Sequence, residues 1–190
     1  MTRDVAVVQH DTLHPDGEYS RTAKWFHWLT VPALGVLLVS GSIIRFIADD
    51  PKMAFYTVHE SLGLLVFVLA LARLVWRLRT TPPPMAAAIS ATERAVAHAV
   101  HTALYVLLLV QPLLGFFTTN AYGFPQRGPT AFLGVIDLPQ FMDAAPDLAR
   151  SLHWAHSIVG WALAALIVAH LAGVLHRHIV HRDGTLLRML

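Results

Sequence analysis

The sequence predicts an all-α membrane protein, an up-down bundle of four transmembrane helices with both termini in the cytoplasm. Three observations predict it. The 190 residues are 55% hydrophobic and only 14% charged, an apolar excess that a soluble domain of this size would have to leave in water. The excess is gathered into four runs, at about residues 25–47, 54–78, 95–118 and 152–179, each near or above the ~20 residues that span a bilayer. The basic residues cluster at alternate ends of those runs, which fixes an orientation.

Residues 1–20 are polar, with no apolar core of a signal peptide, so the first apolar run is expected to direct insertion itself. Arg21 and Lys24 precede that run. The second run ends at Arg77 and Arg79 and is followed by Thr80-Thr81-Pro82-Pro83-Pro84, which cannot continue a helix. Arg94 opens the third run, and Arg177, Arg182 and Arg188 follow the fourth. These cations put both termini and the proline loop on the cytoplasmic side. The opposite side carries Asp49, Asp50, Asp137, Asp143 and Asp147 against Arg45, Lys52, Arg127 and Arg150, and is nearly neutral. The longest loop, 120–150, is rich in proline, glycine and aspartate, with one short surface helix expected around 132–136. The organisation is therefore a cytoplasmic extension at 1–24, a membrane domain at 25–180 and a cytoplasmic tail at 181–190.

Composition also limits the chemistry. There is no cysteine, which excludes disulfides, thiolate-bound zinc, iron–sulfur clusters and thioether-linked haem. A formal charge of +2 gives no footprint for nucleic acid. Histidine, at 12 residues, far outnumbers lysine, which occurs only at 24 and 52. Ionisable groups inside a membrane are costly, so each intramembrane histidine needs a reason. Six qualify: His27, His59, His98, His101, His156 and His170.

His27 lies just inside the cytoplasmic end of the first helix, while His59 and His156 lie near the outer starts of the second and fourth. His170 comes 14 residues after His156, ~21 Å along a helix axis and within ~40° of the same face. The depths then pair His59 with His156 outside and His27 with His170 inside. Haem b takes neutral imidazoles from opposite directions on one iron, and facing helices of a bundle can supply them. Two bis-histidine haem sites result. Gly63 and Gly160 follow the outer histidines by four residues, and each leaves room on that face for a porphyrin plane. Arg73, 14 residues after His59, reaches the inner level, where it either pairs with haem propionates or snorkels to the headgroups.

Each histidine taken singly has a blander reading, as a buried hydrogen-bonding group or, for His27 between Trp25 and Trp28, as part of an interfacial aromatic belt. His98 and His101 also fall near the inner level, and spacing alone does not exclude them. The third helix offers no outer histidine, however, so these two are assigned to packing, propionate contact or proton transfer. His176, His178 and His181 join Arg177 and Arg182 in a juxtamembrane cluster suited to headgroups.

Tyr19-Ser20 before Phe26-His27-Trp28, His59 with Gly63, Arg73, the Thr81-Pro82-Pro83-Pro84 loop, Pro112 with Gly115, His156 with His170, and the tail from Asp183-Gly184-Thr185 to Leu187-Arg188-Met189 together make a pattern. It resembles the bacterial cytochrome b561 family over nearly the whole chain beyond Glu18, and within it the superoxide oxidase type. The resemblance implies a di-haem b protein of the bacterial inner membrane with ligands at His27, His59, His156 and His170. It also implies electron transfer from superoxide at the periplasmic side to ubiquinone near the cytoplasmic side. The extension before Tyr19 departs from the pattern.

Filled axial positions favour outer-sphere electron transfer over oxygen binding. Quinone would need a cleft near the inner haem, with donors such as His98, His101, Arg177 or His178. Three functions remain open. The first is a self-contained oxidoreductase passing electrons from superoxide, or another small donor, to ubiquinone. The second is a haem b membrane subunit that carries electrons between quinone and a separate dehydrogenase or hydrogenase, with a redox protein as partner. The third is a transporter or scaffold without haem, whose histidines bind protons or metals. The near-neutral outer side does not by itself favour an anionic donor.

Overall fold

The computed structural model describes residues 17–85, 89–124 and 131–190. Four long helices carry nearly all of them: α1 at Arg21–Ile43, α2 at Asp49–Arg79, α3 at Ala91–Ala121 and α4 at Pro146–His176. All four are long and apolar enough to cross a membrane.

Each apolar run is extended by local signals at its ends. Ser20 caps α1 by accepting from the Ala23 N–H, so the helix starts at Arg21 and takes Lys24 into its first turn. Ser90 and Glu93 form a capping box that starts α3 well before its apolar stretch. Pro146 starts α4, where its missing N–H costs nothing and its ring presets the backbone. A wider π turn, Arg177–His181, continues α4 and ends at Arg182 in the left-handed conformation, φ 53°.

α1 packs on α2, α2 on α3 and α3 on α4. Side-chain partners fix the directions: Ser40 with His59 and Arg73 with His27 set α1 against α2, while His101 beside His170 and Gln111 beside His156 set α3 against α4. The bundle is therefore up-down. Its buried core is thin and made mainly of small or branched residues, Ala33, Val66, Ala70, Leu108 and Leu163. Most large apolar side chains face outward, including Trp25, Val39, Val68, Trp161 and Val168. A large apolar exterior over a small core is what a bundle with lipid as its solvent presents.

The loop after α3 differs from expectation. In place of a helix around 132–136 there is a small antiparallel hairpin, β1 at Ala131–Phe132 with β2 at Ile136–Asp137. Leu133 and Gly134 turn it with φ of 56° and 73°, which a helix cannot accommodate, and so few residues cannot meet the cost of helix nucleation. The hairpin is tied to α2 by the Leu133 N–H, which donates to Ser61 Oγ at 2.8 Å.

The tail folds back over the end of the bundle that holds Gly17 and the proline loop. Arg188 donates to the carbonyls of Gly17 and Pro84, both at 2.7 Å, and the Trp28 indole donates to the Met189 carbonyl. Buried Arg177 donates to Asp183 at 2.7 Å and to Glu93 at 3.2 Å, so it joins the end of α4, the tail and the cap of α3.

Candidate functional site

α4 carries two histidines 14 residues apart, and each faces a histidine of another helix. The His59 ring of α2 and the His156 ring have centroids 6.2 Å apart with planes at 73°. The His27 ring of α1 and the His170 ring are 6.5 Å apart, also at 73°. The first pair lies far from Gly17 and Leu190 and is called distal below; the second lies at their end of the bundle and is called proximal.

At the distal pair the proton positions follow from the partners. Ser40 Oγ lies 3.2 Å from the Leu37 carbonyl and 2.8 Å from His59 Nδ1, and it can accept from a protonated Nδ1 while its own proton goes to that carbonyl. In that arrangement His59 carries its proton on Nδ1. His156 Nδ1 lies 3.1 Å from the Gln111 backbone carbonyl, which can only accept, so this ring too is protonated at Nδ1. Both rings are left with a lone pair on Nε2, the form that ligates a metal while the other nitrogen is anchored. The Gln111 amide donates to the His156 carbonyl at 2.9 Å and approaches His156 Nε2 at 3.3 Å; its buried Oε1 has no partner among the described residues.

Each distal ring also sits in a glycine notch of a neighbouring helix. A Cβ on Gly41 of α1 would lie 3.1 Å from His59 Cε1, and one on Gly115 of α3 would lie 3.2 Å from His156 Cε1. Both rings line a small, largely apolar cleft of about 60 Å³ whose walls include Leu37, Gly63, Val66 and Pro112. Of the two glycines singled out by spacing, Gly63 lines that cleft, whereas Gly160 faces the Gln111 side chain.

The proximal pair is more polar. Arg73 donates to His27 Nδ1 at 3.3 Å, so this ring accepts at Nδ1, opposite to the distal histidines. Arg73 and Arg77 both stand over the Tyr105 ring, at 5.4 and 5.9 Å. His101 is packed against His170 with centroids 5.2 Å apart, whereas His98, one turn earlier on α3, is exposed. Arg177 and His178 lie in the π turn beyond α4; His178 Nδ1 is buried without a partner among the described residues. The structure thus gathers His27, His170, His101 and Arg73 and leaves His98 outside that group.

Spacing did not reveal Ser40, Gly41, Tyr105 or Gln111. Gln111 did carry a signal, as a polar side chain in the middle of an apolar run.

The donor set fits haem b. An imidazole nitrogen sits about 2 Å from a metal and about 1 Å from its ring centre, so rings on opposite sides of one iron have centroids about 6 Å apart. Both pairs meet that spacing.

Residues 18–190 match the family model described as prokaryotic cytochrome b561. Among curated proteins, cytochrome b561 homolog 2 of Escherichia coli (strain K12) is 30% identical over 182 residues, covering 90% of each chain. Cytochrome b561 homolog 1 of the same organism is 25% identical over 177 residues, covering 90% of this chain and 96% of that one. The probable superoxide oxidase CybB of Yersinia pestis is 26% identical over 173 residues, covering 91% and 96%.

Proposed function

The chain belongs to the prokaryotic cytochrome b561 family, a family of multi-pass membrane proteins that bind haem b and transfer electrons, and from that premise we propose that it carries electrons across the bacterial inner membrane through two haem b groups. The observation that carries this reading is the pair of facing histidine rings at each of two levels of α4, at 6.2 and 6.5 Å. His59 and His156 would hold the iron distal to the termini, and His27 and His170 the proximal one. With the cationic termini in the cytoplasm, the distal site faces the periplasm.

Haem b supplies the one-electron chemistry when bound. The chain's own part is to hold and surround it. Ser40 and the Gln111 carbonyl anchor the distal imidazoles, while Gly41 and Gly115 admit their rings against backbone. To offer Nε2, His27 must carry its proton on Nδ1 and release Arg73, and a propionate is the acceptor that Arg73 would then take. Two histidines holding each iron would leave small donors and acceptors to exchange electrons without binding the metal.

The donor we propose is superoxide or another small periplasmic species, and the acceptor ubiquinone near the proximal site. The name of the Yersinia relative supports the first part. His101, Arg177 and His178 are the polar groups near the end of α4 that a quinone carbonyl would meet; exposed His98 is the weakest of the four candidates. Arg150 is paired with Asp147 at 2.8 Å and Arg45 stacks on Phe46, while Arg127 lies outside the described residues.

His59→Ala or His156→Ala is expected to halve the haem per chain by emptying the distal site, and His27→Ala or His170→Ala to empty the proximal one. Unchanged haem content in all four variants would sink the assignment. Stopped-flow mixing of oxidised protein with superoxide tests the donor. Haems that stay oxidised would favour the other role, a membrane subunit passing electrons between quinone and a separate dehydrogenase or hydrogenase.

A further inference from the structure

α2 passes both histidine levels and carries charges of opposite sign at each. Glu60 directly follows His59 and is partly buried, with Oε1 accepting from Thr119 Oγ1 of α3 at 2.9 Å. Farther along the same helix Arg73 reaches His27 at 3.3 Å, and Arg77 joins it over Tyr105. The hydrogen bonds run in the same sense as the charges. Ser40 Oγ and the Gln111 carbonyl can take the distal Nδ1 protons, whereas Arg73, a cation with donors only, offers His27 Nδ1 no acceptor.

An acceptor on the outer nitrogen makes an imidazole a stronger base, and that stabilises oxidised iron. A nearby carboxylate does the same, and a nearby guanidinium favours reduced iron, more so where water is excluded. We propose that Glu60 and the Nδ1 acceptors hold the distal site at a lower reduction potential than the proximal site, which Arg73 and Arg77 raise, so that the chain itself drives electrons toward its termini. The step is a single electron: the distal site is oxidised as the proximal site is reduced, and no bond is made or broken. A propionate that takes Arg73 as partner weakens this cation's effect, and Arg77 remains beside it.

This rests on the two-site reading above, and the test separates the two. The purified, haem-loaded full chain is titrated electrochemically while the reduced b-type absorption band is followed. His59→Ala and His27→Ala, each retaining one site, assign the two midpoints. The proximal midpoint is expected to be the higher. Glu60→Gln should raise the distal midpoint and Arg73→Gln lower the proximal one. Each shift is about tenfold in that site's reduction equilibrium, 59 mV for one electron. Arg73→Lys keeps the charge and should restore the proximal value, which a purely structural role for Arg73 would not predict. If Arg73→Gln loses the proximal haem, Arg77→Gln reads the same shift without touching the partner of His27. A higher distal midpoint, or unmoved midpoints in charge-neutral variants that keep both haems, overturns the gradient. Histidine variants that retain full haem content overturn the two-site reading instead.

Discussion

A methyl group added at Gly115 would stand 3.2 Å from the His156 ring, and one added at Gly41 would stand 3.1 Å from the His59 ring. Either contact is with an imidazole already fixed through Nδ1, so the ring has little freedom to retreat. Gly115→Ala and Gly41→Ala are therefore expected to lower distal haem occupancy severalfold while leaving the proximal site loaded, as read from haem per chain and the retained midpoint. Gly63→Ala, where a Cβ meets nothing within 4 Å in the protein, probes the cleft itself: its effect should appear only in haem affinity. The histidines were legible in the sequence because 14 residues nearly complete a whole number of helical turns, a property of one helix alone. The glycine notches were not. Gly41 and Gly115 act on rings that belong to other helices, and periodicity reports the faces of a helix without saying which neighbour each face meets.

At the scale of elements, the helices owe their boundaries to groups outside the apolar runs. Ser90→Ala removes the acceptor for the Glu93 N–H and dismantles the capping box, at a cost of about 1 kcal/mol, measurable as a lower melting temperature in detergent. Glu93 also receives Arg177, so Glu93→Ala should cost more than Ser90→Ala by loosening the end of α4 as well. Hydropathy found all four helices but placed the start of α4 near residue 152, because Asp147 and Arg150 are polar; Pro146 at the first position sets the true start. The hairpin at Ala131–Phe132 and Ile136–Asp137 was illegible for a different reason. It is too short to show alternation, and its anchor, Ser61, lies on α2, far away in sequence.

Across the whole molecule, the tail binds Gly17 and the proline loop through Arg188 and is itself held to the end of α4 by Arg177. Burial alone would raise the Asp183 carboxyl, but bonds from Thr185 and Arg177 outweigh it and hold it at about 2, below its ordinary 3.8. A depressed carboxylate stabilises the fold above its unfolded value and loses that contribution as pH falls through its folded one. Thermal stability in detergent should therefore drop between pH 3.8 and about 2, and Asp183→Asn should flatten that part of the profile. Arg188→Ala is expected to free residues 17–20 and the proline loop, seen as faster proteolysis at this face with haem content preserved. The arrangement of the pairs also sets an order of events during biosynthesis. Both use α4, the fourth of the four helices in chain order, so neither ring pair exists until all four have been made and inserted. The haem capture proposed above would then wait for α4: a nascent chain stalled before Pro146 should hold no haem, however long its first three helices have resided in the bilayer.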